Sequence, residues 1–250
     1  MRWFGFDGMA TSRDQVLSRE RGGRVLVVAA LGRELAALRR EAHRRVALLE
    51  TGEGTKNAGQ AARSWLDAET PQAVLGIGFA GALSRSLDVG DLLVARECRS
   101  STGESVATTP ILLEAAKRIQ ADGLAVSLGV TLTVDQVVCQ AEGKRRLALT
   151  LATGELGCVD MESFAVARAC AERRIPFLIV RCVSDLFAED LPVDFNRCRG
   201  ADGRINNWKV IASAIGRPSS IKGLLELRRR AMICSEKLAD FVRRLLSEIG

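Results

Sequence analysis

The stretch GCVDMESFAVARACAERRIPFLIVRCVSD, residues 157–185, decides the fold. Its first half reads as a helix from about Glu162 to Glu172, with Ala165, Val166, Ala169 and Cys170 on one side at helical spacing. Pro176 separates that helix from Phe177–Val183, an almost wholly apolar run of the kind found in a strand buried on both faces. Acidic residues bracket the pair. Asp160 and Glu162 open the helix, and Ser184 and Asp185 close the strand. A helix followed by a strand can return the chain to the same edge of a sheet, so Glu162 and Asp185 are expected to converge on one pocket.

Working outward, the alternation continues. Residues 24–30 read as a buried strand leading into a helix on which Leu31, Leu35 and Leu38 share a face, with Glu34 in its first turn. Residues 46–51 are a second strand, and Gly52-Glu53-Gly54 leads into a helix over residues 55–67. Those glycines serve a tight turn or let an anion approach backbone N–H groups. A third strand, residues 71–75, runs into Gly76-Ile77-Gly78-Phe79-Ala80-Gly81, which matches G-x-G-x-x-G. A dinucleotide site needs a helix to begin there and an acid about 20 positions on. The sequence turns instead at residues 84–91 and resumes as strand at 92–96, so dinucleotide binding is rejected. The glycines are expected to let backbone approach a ligand over the strand ends. Residues 99–109 read as loop, 110–120 as a helix opened by Pro110, 124–138 as β-rich and 142–151 as helical. A polar loop over 186–206 precedes a final helix, residues 221–249, with Leu224, Leu227, Ala231, Leu238, Phe241, Leu245 and Ile249 at helical spacing. The fold class is therefore α/β: a single three-layer domain over residues 23–250, with a central mixed, largely parallel twisted sheet flanked by helices. Residues 1–22 are expected to be a flexible N-terminal extension.

Composition bounds the function. The net charge of +6 is moderate, and with no Tyr and few other aromatics nothing points to nucleic acid. Residues 221–250 carry seven basic and four acidic side chains, a solvated face or a contact with an anionic membrane surface. The seven cysteines are scattered, without a C-x-x-C pair, and the single histidine is His43. Neither a zinc site nor a disulfide framework is expected, and a reducing cytoplasm fits, with peripheral contact at the inner membrane as the alternative for the basic helix. No metal and no cofactor are expected.

Five segments, in order, resemble the superfamily of nucleoside phosphorylases and nucleosidases, of the purine phosphorylase and methylthioadenosine/S-adenosylhomocysteine nucleosidase type. They are VLVVAALGRE, TGEGTKNA, GIGFAGAL followed by DVGDLLVA, VDMES, and IPFLIVRCVSD, spanning residues 24–185. VDMES followed by AVAR, and the later GADGR and AIGRP, are similar to a hopanoid-associated branch, which is linked to removing adenine from adenosylhopane.

The resemblance implies roles. Asp185 would protonate or hydrogen-bond N7 of the departing purine, with Ser184 beside it. Glu162 would hold the ribose hydroxyls, Met161 would line the sugar, and Glu34 would activate water. Gly78, Phe79 and Val138 fall in substrate-binding segments. A protonated Asp185 needs an environment that keeps the acid neutral, here expected to be an apolar strand end. Without the resemblance, each acid reads as a helix-terminus or loop carboxylate, and Asp160 as a helix-end acid or the partner of a basic neighbour. Phosphorylases of this type have R-x-G-S or R-x-G-T where this chain has Gly76-Ile77-Gly78-Phe79, so water is the expected nucleophile unless Arg33, Lys56 or Arg85 holds phosphate. Val137 stands where the nucleosidases stack a Phe on the base, which points away from methylthioadenosine as the best substrate. The expected activity is thus cleavage of the N-ribosidic bond of a 5′-substituted, lipid-linked adenosine. Methylthioadenosine/S-adenosylhomocysteine nucleosidase, phosphorylase and non-catalytic nucleoside binder are the alternatives. A homo-oligomer is implied by the family.

Overall fold

The computed structural model describes residues 23–39, 45–122, 124–198, 200, 209–210, 213 and 218–249. The expected extension at 1–22, His43, and most of the GADGR and AIGRP segments lie outside the described residues.

Eight strands form one mixed sheet: β1 (Val25–Ala29), β2 (Val46–Glu50), β3 (Ala73–Ala82), β4 (Leu92–Ser100), β5 (Ser105–Ala107), β6 (Val126–Thr133), β7 (Gly157–Asp160) and β8 (Phe177–Asp185). The helices are α1 (Ala36–Arg39), α2 (Thr55–Ala68), α3 (Pro110–Ala121), α4 (Ala141–Ala148), α5 (Ser163–Glu172) and α6 (Pro218–Ile249). The path runs β2-β1-β3-β7-β6-β4-β5, and β8 pairs with both β3 and β4. Strands β3, β8, β4, β6 and β7 therefore close on themselves as a five-stranded ring. Ala80, Ala82, Leu87, Leu93, Cys158 and Val183 fill it. Five strand pairs are parallel; β3–β7, β4–β5 and β4–β8 are antiparallel.

Both faces of the sheet are covered, as the unbroken apolar runs require. On one face, Leu112, Ala115 and Ile119 of α3 and Cys234, Leu238, Phe241 and Leu245 of α6 pack on β1, β3, β4 and β8. On the other, Ala58, Ala62 and Leu66 of α2 meet Ala165, Val166, Ala169 and Cys170 of α5. That is the three-layer α/β arrangement the sequence indicated. All seven cysteines are free thiols, Cys139 alone being only partly buried. No described helix is long and apolar enough to cross a membrane.

Three expectations need correction. The helix after β1 begins at Ala36, not Leu31. Residues 31–34 form a turn because Glu34 N–H donates to the Leu31 carbonyl and the Glu34 carboxylate accepts from Leu31 N–H at 2.8 Å. Residues 99–109 are not a plain loop: β4 runs to Ser100 and pairs with β5 in an antiparallel hairpin. The convergence of the two acids also has a different cause from the one expected. Strands β7 and β8 are not neighbours on one edge; β3 lies between them, and its Gly81 is in register with both Val159 and Asp185.

Candidate active site

The strand ends meet at one cavity of 1220 Å³. Glu34, Phe79, Val137, Val138, Met161, Glu162, Ser184 and Asp185 all line it. Gly78 does not. Parallel pairing places Gly78 beside Arg181, and a Cβ at Gly78 would overlap the Arg181 guanidinium. Gly76 makes the same room for Ile179. These two glycines thus admit side chains of β8, where ligand contact was expected; Gly81 is the one that lines the cavity.

Glu34 leaves β1 in a turn. Its two oxygens accept separate backbone N–H groups, Leu31 at 2.8 Å and Phe79 at 2.9 Å. Burial raises its pKa above the usual value, opposed by Arg181, the two N–H donors and Arg33. Such a carboxylate is fixed in direction and made more basic, as a water-activating base requires.

Glu162 is the residue before α5. Its Oε1 accepts Gly54 N–H at 2.7 Å. Gly54 sits at φ +92, in the left-handed region that glycine adopts without strain, at the end of the TGEG turn. The anion approached by that turn is therefore the chain's own Glu162 carboxylate. Burial pushes Glu162 up to about 7; Arg181 opposes this, nearby Asp160 adds to it and Gly54 N–H opposes it. The native state thus holds this proton more tightly than the unfolded chain. The stabilisation is complete below about pH 4.5 and is lost as pH rises through about 7. Glu162→Gln is expected to gain stability relative to the unsubstituted chain at pH 8 but not at pH 4.5. The gain is on the order of 2–3 kcal/mol, read by denaturant titration at the two pH values.

Asp160 takes both of the jobs left open for it. Its Oδ1 accepts Ser163 N–H at 3.1 Å at the start of α5 and Thr133 Oγ1–H at 2.8 Å. Its Oδ2 pairs with Arg181 Nε at 2.7 Å. Arg181 is buried, with its charge shared among Asp160, Glu162 and Glu34. Arg181 lies inside the IPFLIVRCVSD segment, where sequence pattern assigns it no task. It is a buried cation that pairs directly with Asp160 and faces Glu162 and Glu34 electrostatically.

Asp185 ends β8. Ser184 Oγ–H donates to its Oδ1 at 2.8 Å, and Lys144 Nζ pairs with its Oδ2. The apolar surroundings expected for this acid are replaced by a buried ion pair. Lys144 lies on α4 and went unnoticed because a lysine in an amphipathic helix reads as a solvent-facing residue; it is fully buried. Of the three basic residues considered for phosphate, Arg33 lines the cavity, whereas Lys56 and Arg85 do not. Arg85 instead lies over the Phe187 ring, 5.3 Å from its centroid.

The cavity is also lined by a group of apolar side chains, Leu191, Phe195, Leu224, Leu227, Ala231 and Met232, with Arg228, Ser235 and Glu236 of α6 beside them. Most of that wall is the N-terminal half of α6. The cavity exceeds the range of about 300–1,000 Å³ usual for small-ligand sites.

The chain and its fold have counterparts among known proteins. Residues 28–201 match the model of the Phosphorylase superfamily, and the chain belongs to that superfamily and is an enzyme of that class. Among curated proteins, a 5′-methylthioadenosine/S-adenosylhomocysteine nucleosidase of Staphylococcus aureus (strain bovine RF122 / ET3-1) is 24% identical over 169 residues, covering 61% of this chain and 73% of the relative. Among solved structures, the Neisseria meningitidis 5′-methylthioadenosine/S-adenosylhomocysteine nucleosidase with methylthio-immucillin-A superposes with a TM-score of 0.68 at 21% identity, covering 90% of this chain and 98% of that one. A futalosine hydrolase mutant of Helicobacter pylori strain 26695 gives 0.69 at 16% identity, covering 90% and 99%. The superfamily match ends before α6 begins.

Proposed function

We propose that this enzyme hydrolyses the N-ribosidic bond of a 5′-substituted adenosine and releases adenine, and that the 5′ substituent is a large apolar group. The supporting observation is the lining of the cavity: Glu34, Glu162 and Asp185 share it with a group of apolar side chains from α6, Leu224, Leu227, Ala231 and Met232. Cleavage of such a bond passes through an oxocarbenium-like sugar. Glu162, Met161 and Phe79 would hold the ribose, and ionised Glu162 would face the positive charge that develops there. Glu34 would take a proton from the attacking water. Asp185, oriented by Ser184, would serve N7 of the purine, and Val138 would line the base site with Val137. The apolar wall would take the 5′ substituent, which for the hopanoid branch is that of adenosylhopane.

The same wall continues to an exposed rim. Ile221, Leu225 and Met232 are 50%, 60% and 58% exposed, and Lys222, Arg228 and Arg229 are exposed beside them. An anionic bilayer presenting a lipid-linked substrate matches this apolar and basic rim in charge. Water is favoured over phosphate as nucleophile because Glu34 stands ready at the cavity and Arg33 is the one phosphate candidate that reaches it. A homo-oligomer, implied by the family, is part of the same proposal; light scattering gives its size.

The test is adenine release from adenosylhopane in anionic vesicles, methylthioadenosine and S-adenosylhomocysteine, each with and without phosphate. Adenosylhopane is expected to have the highest kcat/KM, with a rate independent of phosphate. Strict phosphate dependence removes the hydrolase reading, and a preference for methylthioadenosine removes the lipid-linked substrate. Binding without cleavage would make the protein a nucleoside-binding module.

A further inference from the structure

The Lys144–Asp185 pair changes what Asp185 can do, given the proposed function in which Asp185 serves the leaving purine. Lys144 is buried on α4, and all three protons of its ammonium have partners. One faces Asp185 Oδ2, one donates to the Leu186 carbonyl at 2.7 Å and one to the Glu189 carbonyl at 3.2 Å. Asp185 Oδ1 accepts from Ser184 Oγ–H. Both Asp185 oxygens therefore accept in the resting protein. A carboxylate in that state has no hydrogen to give N7, and an apolar environment that would keep it protonated is absent. The cationic donor in contact with it is Lys144.

We propose that Lys144 is a positioning residue that holds Asp185 and supplies, through it, the proton taken by the departing purine. The balance is as follows. A Lys144 N–H bond breaks with its electron pair left on nitrogen, and the proton passes to the Asp185 carboxylate. The C1′–N9 bond breaks with its pair moving onto the purine, and Asp185 delivers the proton to N7. Adenine leaves neutral, Asp185 is again a carboxylate and Lys144 is a neutral amine. Water bonds to C1′ through oxygen and gives its second proton to Glu34. Solvent carries that proton back to Lys144 before the next turnover. The sum is water plus nucleoside giving free sugar plus adenine.

Other charges around Lys144 have partners of their own. Glu189 pairs with Arg230 of α6 at 2.7 Å, and Asp190 accepts Ala141 N–H at 2.7 Å. On α4 itself, Arg145 and Arg146 pair with Glu142 at the surface. Cys158 also lies within electrostatic reach of Asp185, and Arg230 donates to the neighbouring Ser184 carbonyl at 3.4 Å.

The test compares Lys144→Met, Lys144→Arg, Asp185→Asn and the double variant Lys144→Met/Asp185→Asn, with folded fraction checked by circular dichroism. Lys144→Met is expected to lower kcat at pH 7.5 by at least about tenfold, within the usual reach of proton-transfer catalysis. Its shortfall relative to the unsubstituted enzyme at the same pH is expected to shrink toward acid pH, where solvent can supply the proton to Asp185 directly, and Lys144→Arg is expected to recover part of the loss. Adding Lys144→Met to Asp185→Asn is expected to cause no further loss, because Lys144 acts through Asp185. The proposal is overturned if folded Lys144→Met keeps the original pH profile of kcat, or if the two substitutions multiply. If Asp185→Asn alone leaves the rate unchanged, the reading of Asp185 fails first and separately. Should Lys144→Met not fold, Lys144→Arg carries the test: an unchanged kcat and pH profile with a guanidinium in place of the amine overturns proton supply by Lys144.

Discussion

Asp185→Asn is expected to reduce adenine release by about 10²–10⁴-fold, the range typical of a lost proton-transfer group. An amide cannot pass a proton to the purine, yet its shape fills the same place at the end of β8. The substitution also has a structural cost. Lys144 is left charged and fully buried with two carbonyl partners but no counter-ion. Removing one member of a buried pair commonly costs about 3–5 kcal/mol. A fall in thermal midpoint is therefore expected together with the fall in rate. The two are separated by measuring kcat well below the midpoint, alongside the affinity of an unreactive adenosine analogue. A rate within threefold of the unsubstituted enzyme would take Asp185 out of the mechanism.

Glu34→Gln is expected to have an effect of similar size, about 10²–10⁴-fold on the hydrolytic rate, by a different route. Glu34 acts as a base, so it must be ionised, and its pKa is raised by burial. Activity is accordingly expected to fall toward acid pH as Glu34 takes up a proton. In the unsubstituted enzyme Glu162, at about 7, contributes a further loss on the acid side. Gln removes the base. It also turns one N–H donor toward Leu31 N–H or Phe79 N–H, since both Glu34 oxygens now accept from backbone. Binding of the unreactive analogue is expected to weaken by less than tenfold while kcat falls by hundreds. Equal losses in binding and kcat would assign Glu34 to substrate holding and not to water activation.

Much of this fold is written in local pattern. The apolar run at Phe177–Val183, the helical spacing of Ala165, Val166, Ala169 and Cys170, and Pro110 at a helix start each specify one element through contacts near in sequence. What pattern could not supply is closure. The ring depends on β8 pairing with β3 and β4 at once, and β7 with β3 through two residues of register. Such long-range pairing leaves no period in the sequence. The same holds at the site. The three carboxylates are at positions that motif spacing singles out, and all three reach one cavity. Lys144 is invisible because its burial depends on α4 folding over the segment 186–189, far along the chain. Gly78 was misassigned because a small residue in a strand can admit a ligand, a backbone or a neighbouring side chain, and only the register with Arg181 selects among these.

Helix α6 has two halves with different attachments. From Cys234 onward it is clamped into the core by Leu238, Phe241, Val242 and Leu245. Before that point it has no buried hydrophobic residue and instead forms the apolar wall of the cavity. This half is held by the Arg230–Glu189 ion pair and by Gly223 against Pro192, without core packing. Substitutions at Leu224, Leu227 or Ala231 can reshape what the wall accepts while the ring and its acids stay as they are. Lineages that share the same bond-breaking end could in this way diverge in cargo by editing a single helical half-turn at a time.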